Sequence, residues 1–324
     1  MKRDGLPISS RSPEVRGRLA PSPTGLLHLG HARSFVIAWW SARRNGGSIV
    51  LRHEDLDPAR ARVDYAQQIE TDLRWLGLDW DGPASFQSST APALLELAHQ
   101  LVDAGHGYPC ICSRGDIRGA VAAPHRGDPE INYPGTCRGR FVNVAQAEAR
   151  SGRLAGIRFC APDRELAFDD GIAGYVSENV ARQVGDFLII RRDKVPAYQL
   201  AVVVDDARQA VNQVIRGDDL LGSTPRQLAL HAALNLTPPS YYHLGLVLDE
   251  YGQRLAKRSD ALSLARLRAR GVDPNAIIRW VADSCYMPDQ GFASARERID
   301  AFQLSRLDRR PVRLDARALA RFGL

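Results

Sequence analysis

Residues 17–52 leave this chain little choice of fold. Residues 17–20 (Gly-Arg-Leu-Ala) read as a short strand, broken by Pro21-Ser-Pro-Thr-Gly25. Ala32, Phe35, Val36, Trp39 and Trp40 then recur at i, i+3, i+4, i+7 and i+8, the spacing of one helix face. Gly46 and Gly47 end that helix. Residues 48–52 form a compact apolar strand. Two short strands joined through a helix pair in parallel with a right-handed crossover, and a parallel sheet must be covered on both faces. The chain has 324 residues, enough to bury roughly three quarters of its unfolded surface without disulfide support.

Helices are expected at about 62–76, through Ala66, Ile69, Leu73 and Leu76 with Gly77 as the stop, and at about 91–104. Residues 106–194 change character, with Cys, Gly and Pro turns and strand-like pieces at 157–160 and 187–191, and read as an insertion. Alternation of β and α returns afterwards: an apolar, β-branched stretch at 197–204, a helix at 225–236 and a strand at 243–248. The last stretch, from 260, is Arg-rich and mostly helical. The fold class is therefore α/β, a Rossmann-type doubly wound parallel sheet split by an insert and followed by a small helical region. The expected divisions are a loose tail at 1–15, a first sheet half at 16–105, the insert at 106–194, a second sheet half at 195–250, and a basic loop with helices at 251–324.

Composition excludes several classes. Hydrophobic residues make up 44% and charged residues 25%, so disorder is not the dominant state. No stretch approaches ~18 consecutive apolar residues, and the N-terminus carries no apolar run after its charges, so neither a membrane span nor a signal peptide is expected. Five cysteines, three of them between 110 and 137, favour a reduced, cytoplasmic setting and a metal site over a disulfide framework. The net charge of +6 leans mildly toward polyanionic partners. Lysines stand only at 2, 194 and 257 among 40 arginines, so the position of a lysine is informative here.

Three constellations fall where such a sheet binds ligands. Arg18-Leu-Ala-Pro-Ser-Pro-Thr-Gly25 leads into His28-Leu-Gly30-His31 between the first strand and the first helix. A helix N-terminus there favours phosphate, Gly30 lets a nucleotide come close, and His28 and His31 are spaced to address one phosphate group. Taken alone, such a loop could equally carry two ordinary surface histidines. Arg52-His-Glu54-Asp-Leu-Asp57 places three carboxylates in four residues at the end of the second strand, suited to an ammonium group or a ribose hydroxyl, or else a solvated turn. Arg254-Leu-Ala-Lys257-Arg-Ser259 follows a Gly turn, as a basic loop that closes over a triphosphate would.

Together these resemble the class I aminoacyl-tRNA synthetases, His28 to His31 their HIGH motif and Arg254 to Arg258 a degenerate KMSKS motif. Residues 18–25, 51–57, 202–206 (Val-Val-Val-Asp-Asp) and 214–219 (Val-Ile-Arg-Gly-Asp-Asp) resemble the glutamyl group. Only some 65 residues follow the Lys257 loop, too few for that group's anticodon-binding region. The short paralogue of the group, which glutamylates the queuosine base of tRNA(Asp), is the nearer resemblance. It implies ATP with Mg²⁺, L-glutamate and queuosine-bearing tRNA(Asp) as partners, no membrane, and a monomer. It also implies that His28, His31 and Lys257 stabilise phosphate charge, with Gly30 beside the ATP. Arg18, Leu19, Ala20, Pro21, Ser22, Glu54, Tyr198 and Arg216 would form the glutamate site, with both arginines on carboxylates and Glu54 on the ammonium. A truncated enzyme charging a tRNA 3′ end is the runner-up. A non-catalytic tRNA-binding module or a small nucleotidyltransferase would not need the same residues.

The insert holds Cys110-Ile-Cys112 and, further on, Tyr133-Pro-Gly-Thr-Cys137. Thiolates suit a tetrahedral structural zinc, which would order a segment poor in large apolar side chains. Three small buried hydrophobes are the plainer reading. The resemblance supplies Tyr133 as the fourth ligand of one structural Zn²⁺, and His125 is the alternative on ligand chemistry alone. Cys160 and Cys285 sit in apolar runs and are expected in the core.

Overall fold

The computed structural model describes residues 14–120, 132–255, 262–288, 291 and 294–323. The tail before residue 14, His125 with nearly all of the 123–132 stretch, and Lys257 lie outside these. The first half runs β1 (Arg16–Leu19), α1 (Leu29–Arg44), β2 (Ser48–His53), α2 (Val63–Trp75), β3 (Ser85–Phe86) and α3 (Ala91–Asp103). The insert follows with β4 (Gly107–Cys110), α4 (Arg114–Ala120), α5 (Val144–Ser151), β5 (Gly156–Phe159), β6 (Glu165–Asp170), β7 (Gly174–Asn179), α6 (Val180–Gln183) and β8 (Phe187–Ile190). Then come α7 (Tyr198–Arg208), β9 (Gln213–Gly217), α8 (Thr224–Ala233), β10 (Ser240–Leu244) and β11 (Val247–Leu248). The last stretch holds α9 (Leu264–Ala269), α10 (Pro274–Asp283), β12 (Val312–Arg313) and α11 (Ala316–Arg321).

The sheet is parallel, as the opening crossover requires. β1, β2 and β3 pair in that order, and β9 pairs with β10. Asn212 moors β9 beside β1: its N–H donates to the Arg16 carbonyl at 3.0 Å, and its Oδ1 accepts from the Arg16 N–H at 2.8 Å. The order β3-β2-β1-β9-β10 therefore reverses between β1 and β9. In sheets of this kind ligands bind outside the carboxyl ends of the strands at that reversal. The insert is built differently, with an antiparallel β4-β5-β8 sheet and a β6–β7 hairpin.

Helix α1 is more deeply placed than a single apolar face requires. It packs on β1, β2 and β9, and α10 covers its other side. Ile37, Ala38 and Ser41 are therefore buried along with the predicted stripe of Ala32, Val36, Trp39 and Trp40. Phe35 is only half-buried. Trp39 donates to Asp79 Oδ1 at 2.8 Å and Trp40 to the Ala295 carbonyl at 2.7 Å, so both indoles are buried with their N–H satisfied.

Three expectations need correction. Residues 197–204, read as a strand, belong to α7. Its neighbours α3, α8 and β8 surround it, and Leu200 to Val204 are buried without interruption. That erases the helical period, and burial worth about 1.5–3 kcal/mol per large apolar side chain outweighs a β-branched penalty of a few tenths. The expected strand at 243–248 is two strands. A Cβ at Gly245 would meet the Arg310 carbonyl at 2.2 Å, so the chain passes the C-terminal segment there, and β11 pairs with β12 instead. The region after 260 contains short helices but also β12.

Candidate active site

A crevice of about 400 Å³ opens at the β1/β9 reversal. Of the expected site residues, Arg18, Ala20, Pro21, Ser22, His28, Gly30, His31, Glu54, Tyr198 and Arg216 line it. Leu19 does not: its side chain is fully buried in the core beneath, as the alternation of a strand directs when both neighbours face the ligand side. The described residues that flank the Lys257 loop border the same space. Arg254 and Leu255 line the crevice, Ser263 bridges to His28, and the Leu264 N–H donates to the Leu27 carbonyl at 2.8 Å.

The histidine pair is part of the helix that carries it. His28 is the N-cap of α1, and its Nδ1 accepts from the Gly30 N–H at 3.1 Å. His31, at the third helical position, accepts the His28 N–H on its own Nδ1 at 3.2 Å. This is a capping box made from two imidazoles. Because both Nδ1 atoms act as acceptors, each neutral ring carries its proton on Nε2, and the ring centroids lie 3.8 Å apart. Gly30 has a reason the sequence did not show. A Cβ there would lie 2.9 Å from His28 Cε1 and 3.0 Å from its Nδ1, so the glycine makes room for the capping ring.

The other end of the crevice concentrates charge. Arg18 and Arg52 both pair with buried Asp206, at 3.2 and 2.8 Å, and Arg52 also reaches Glu54 at 3.2 Å. Burial raises the Glu54 carboxyl above its ordinary range, against the opposing pull of Arg52 and Arg18. Tyr198 is raised by burial as well and stays a neutral hydroxyl. The three carboxylates of residues 54–57 diverge. Glu54 faces the crevice, Asp55 accepts from the Ser88 N–H and hydroxyl, and Asp57 accepts from Ala59 N–H. Arg216 donates through Nε to His243 Nε2 at 2.9 Å and through Nη2 to Thr224 Oγ1 at 2.8 Å and Gln227 Oε1 at 2.9 Å. Sequence reasoning marked the Asp205-Asp206 pair and Arg52 without a task for either, and missed Asp170 and His243. The only signal was an arginine and an acidic pair ending apolar runs.

In the insert, Cys110, Cys112 and Cys137 place their Sγ atoms within 4.8 Å of one another. Tyr133 Oη lies 3.4 Å from Cys110 Sγ and 3.6 Å from Cys112 Sγ. A tetrahedral zinc with Zn–S near ~2.3 Å wants sulfurs ~3.8 Å apart, so this donor set fits zinc with small adjustments. None of the four lines the crevice. Cys285 is buried in the main core as expected, whereas Cys160 is half-buried beside the thiol cluster.

A doubly wound sheet whose reversal crevice carries a His-x-Gly-His helix cap and a basic, carboxylate-lined end is the catalytic architecture of a class I aminoacyl-tRNA synthetase. Comparison with known proteins agrees. The family model for class I tRNA synthetases (E and Q), catalytic domain, matches residues 14–320. A glutamyl-Q tRNA(Asp) synthetase of Nitratidesulfovibrio vulgaris is 47% identical over 83% of this chain and 85% of its own. One of Symbiobacterium thermophilum is 44% identical over 94% and 97%. The crystal structure of a glutamate tRNA ligase from Elizabethkingia meningosepticum, in complex with its amino acid, superposes with a TM-score of 0.81 at 28% identity, over 95% of this chain and 68% of that one. The chain belongs to the class I tRNA synthetases of the glutamate and glutamine group and, within it, to the glutamyl-Q tRNA(Asp) synthetase family. It is a ligase.

Proposed function

We propose that this ligase joins L-glutamate to ATP as glutamyl-adenylate and passes the glutamyl group to the queuosine base of tRNA(Asp). The observation that carries the first half is the convergence of Arg18, Arg216 and Glu54 in one crevice with the capped histidine pair. Glutamate offers two carboxylates and an ammonium, and guanidinium forks and a carboxylate are their complements. The α-carboxylate attacks the ATP α-phosphate and pyrophosphate leaves. A carboxylate needs no general base, so the rate comes from positioning and charge stabilisation. In this reading the Nε2–H groups of His28 and His31, with Lys257, take the phosphate charge, and Gly30 keeps the helix N-terminus open to the nucleotide. Arg18 and Arg216 hold the carboxylates, Glu54 the ammonium, and the backbone of residues 19–22 with Tyr198 shapes the pocket. Mg²⁺ carried with ATP would add positive charge to the phosphate oxygens.

The acceptor is supported by the names of the relatives at 44 and 47% identity. A net charge of +6 suits a polyanionic partner. The thiol cluster would hold one structural Zn²⁺ through Cys110, Cys112, Cys137 and Tyr133, closing the loop between the first pair and the third cysteine. Among the described residues no helix is long and apolar enough to cross a membrane, and the same reading places the enzyme in the cytoplasm, where thiols stay reduced. The deciding experiment supplies labelled glutamate, ATP, and either queuosine-containing or queuosine-free tRNA(Asp), then maps the label. Label on the queuosine base, with none on queuosine-free tRNA(Asp), supports the proposal. Label on the tRNA 3′ end assigns the chain to 3′-end charging instead.

A further inference from the structure

The two arginines offered for glutamate are not equivalent. Arg18 shares the buried carboxylate of Asp206. Arg216, among the described residues, forms no ion pair at all and is held only by neutral acceptors: His243, Thr224, Gln227 and the Leu220 carbonyl. A guanidinium has no acceptor to offer, so His243 must present the lone pair of Nε2 to Arg216 Nε–H. That fixes the imidazole as neutral, with its proton on Nδ1. The donor at Nδ1 is met by Asp170 Oδ2 at 2.5 Å. Both side chains are fully inaccessible to solvent.

The architecture around this relay is specific to it. Arg216 on β9 and His243 on β10 stand opposite each other in the parallel ladder. Asp170 comes from the insert, at the end of β6. Its Oδ1 accepts from the N–H groups of Ile172, Ala173 and His243, so its position is over-determined. The hairpin tip comes this close only because residue 171 is glycine: a Cβ there would lie 2.0 Å from the Tyr242 ring. The insert thus reaches behind the crevice to orient a group that lines it.

We propose that Asp170 and His243 are positioning residues that hold Arg216 as an uncompensated cation, so that the crevice selects a carboxylate-bearing amino acid over its amide. A carboxylate in the place of His243 would hold the arginine equally well but would neutralise it. The neutral imidazole orients the guanidinium and leaves its charge for the substrate. Asp170, one ring further back, sets the tautomer rather than the charge, the division of labour seen where a carboxylate orients a histidine behind a reacting group. The proposal rests on the reading that the crevice binds glutamate.

The test uses glutamate-dependent pyrophosphate exchange with the full chain. Asp170→Asn keeps the shape but offers an amide N–H to the ring, which favours the Nε2–H tautomer and sets donor against donor at Arg216. His243→Phe keeps a ring beside Tyr241 with no acceptor, whereas His243→Gln can return an acceptor to Arg216 Nε. Asp170→Asn and His243→Phe should raise the glutamate KM about 10- to 100-fold, the range for a lost hydrogen bond to a charged group. The ATP KM and kcat should stay within about threefold, and preference over glutamine should fall by a similar factor to the rise in KM. His243→Gln should recover most of the loss. The wild-type imidazole ¹⁵N spectrum, free of any folding question, should show His243 neutral with its proton on Nδ1. An imidazolium or an Nε2–H tautomer overturns the proposal, as does an unchanged glutamate KM in both variants or a parallel loss of glutamate and ATP binding. If the wild-type protein shows no glutamate-dependent exchange, the functional reading fails separately, while the spectrum still decides the tautomer.

Discussion

Glu54 sits between opposing influences. Burial raises its carboxyl pKa and the guanidiniums of Arg52 and Arg18 draw it back, with burial the larger effect. If its carboxylate holds the substrate ammonium, protonation weakens that hold. The glutamate KM should therefore rise on acidification, starting above the pH at which a solvated glutamate titrates, while the ATP KM stays level. The fold responds with the opposite sign. An acid whose folded pKa is raised stabilises the native state most when protonated and loses that contribution as pH rises through the folded value. Acid therefore weakens binding through Glu54 without weakening the fold through it. Exchange kinetics and thermal melts over one pH series check both directions, and Glu54→Gln should show a high glutamate KM that no longer varies with acid.

At the scale of elements, the insert's thiol cluster makes the sharpest prediction. Tyr108, Cys110, Ile111, Tyr133, Cys137, Ala147 and Ala155 form a separate small core with few large side chains. Zinc would supply folding energy that this core lacks. Purified without chelator or a nickel column, the chain should carry about one zinc, as a four-ligand site would. Cys112→Ser should lower the melting temperature of the insert and leave the exchange reaction measurable, because no cluster residue lines the crevice. Burial pushes the Cys112 thiol up to about 11, so a metal must displace its proton and retention should fall as pH is lowered. An ordered insert with no metal would make the cysteines packing residues. The legibility of the other elements follows from how many sides of each are covered. β1, β2 and α2 were readable because their apolar residues or turn formers mark edges. α7 was not, because burial from Leu200 to Val204 left no polar face to set a period. β9 was overlooked because its five residues end in the polar Arg216 and Gly217. The crevice residues on local motifs, Arg18, Ala20 to Ser22, His28, Gly30, His31 and Glu54, were legible because each motif is contiguous. The Asp170–His243–Arg216 relay was not, since it joins three strands that only the fold brings together.

At the scale of the whole molecule, the charged end of the crevice is assembled within this chain alone. Arg18 is fixed by Asp206, Arg52 by Asp206 and Gln209, and Arg216 by His243, Thr224 and Gln227. Preorganised groups need no second macromolecule to align them, so glutamate-dependent pyrophosphate exchange should proceed with protein, glutamate, ATP and Mg²⁺ and no tRNA. Exchange that appears only after tRNA is added would show that RNA completes the site. The imidazole capping box has a last consequence. In most helices the groups that finish the first turn have no other duty, whereas here the same atoms that close the turn dictate which face of each ring is acidic. The folded chain therefore cannot hold the cap and also present the other tautomer. Structure and chemistry can still be pulled apart by hand: His28→Ser with His31→Glu would restore an ordinary Ser-x-x-Glu box. That double variant should keep the same helix and an intact glutamate end while losing both imidazole N–H donors, so pyrophosphate exchange should fall steeply with glutamate binding preserved.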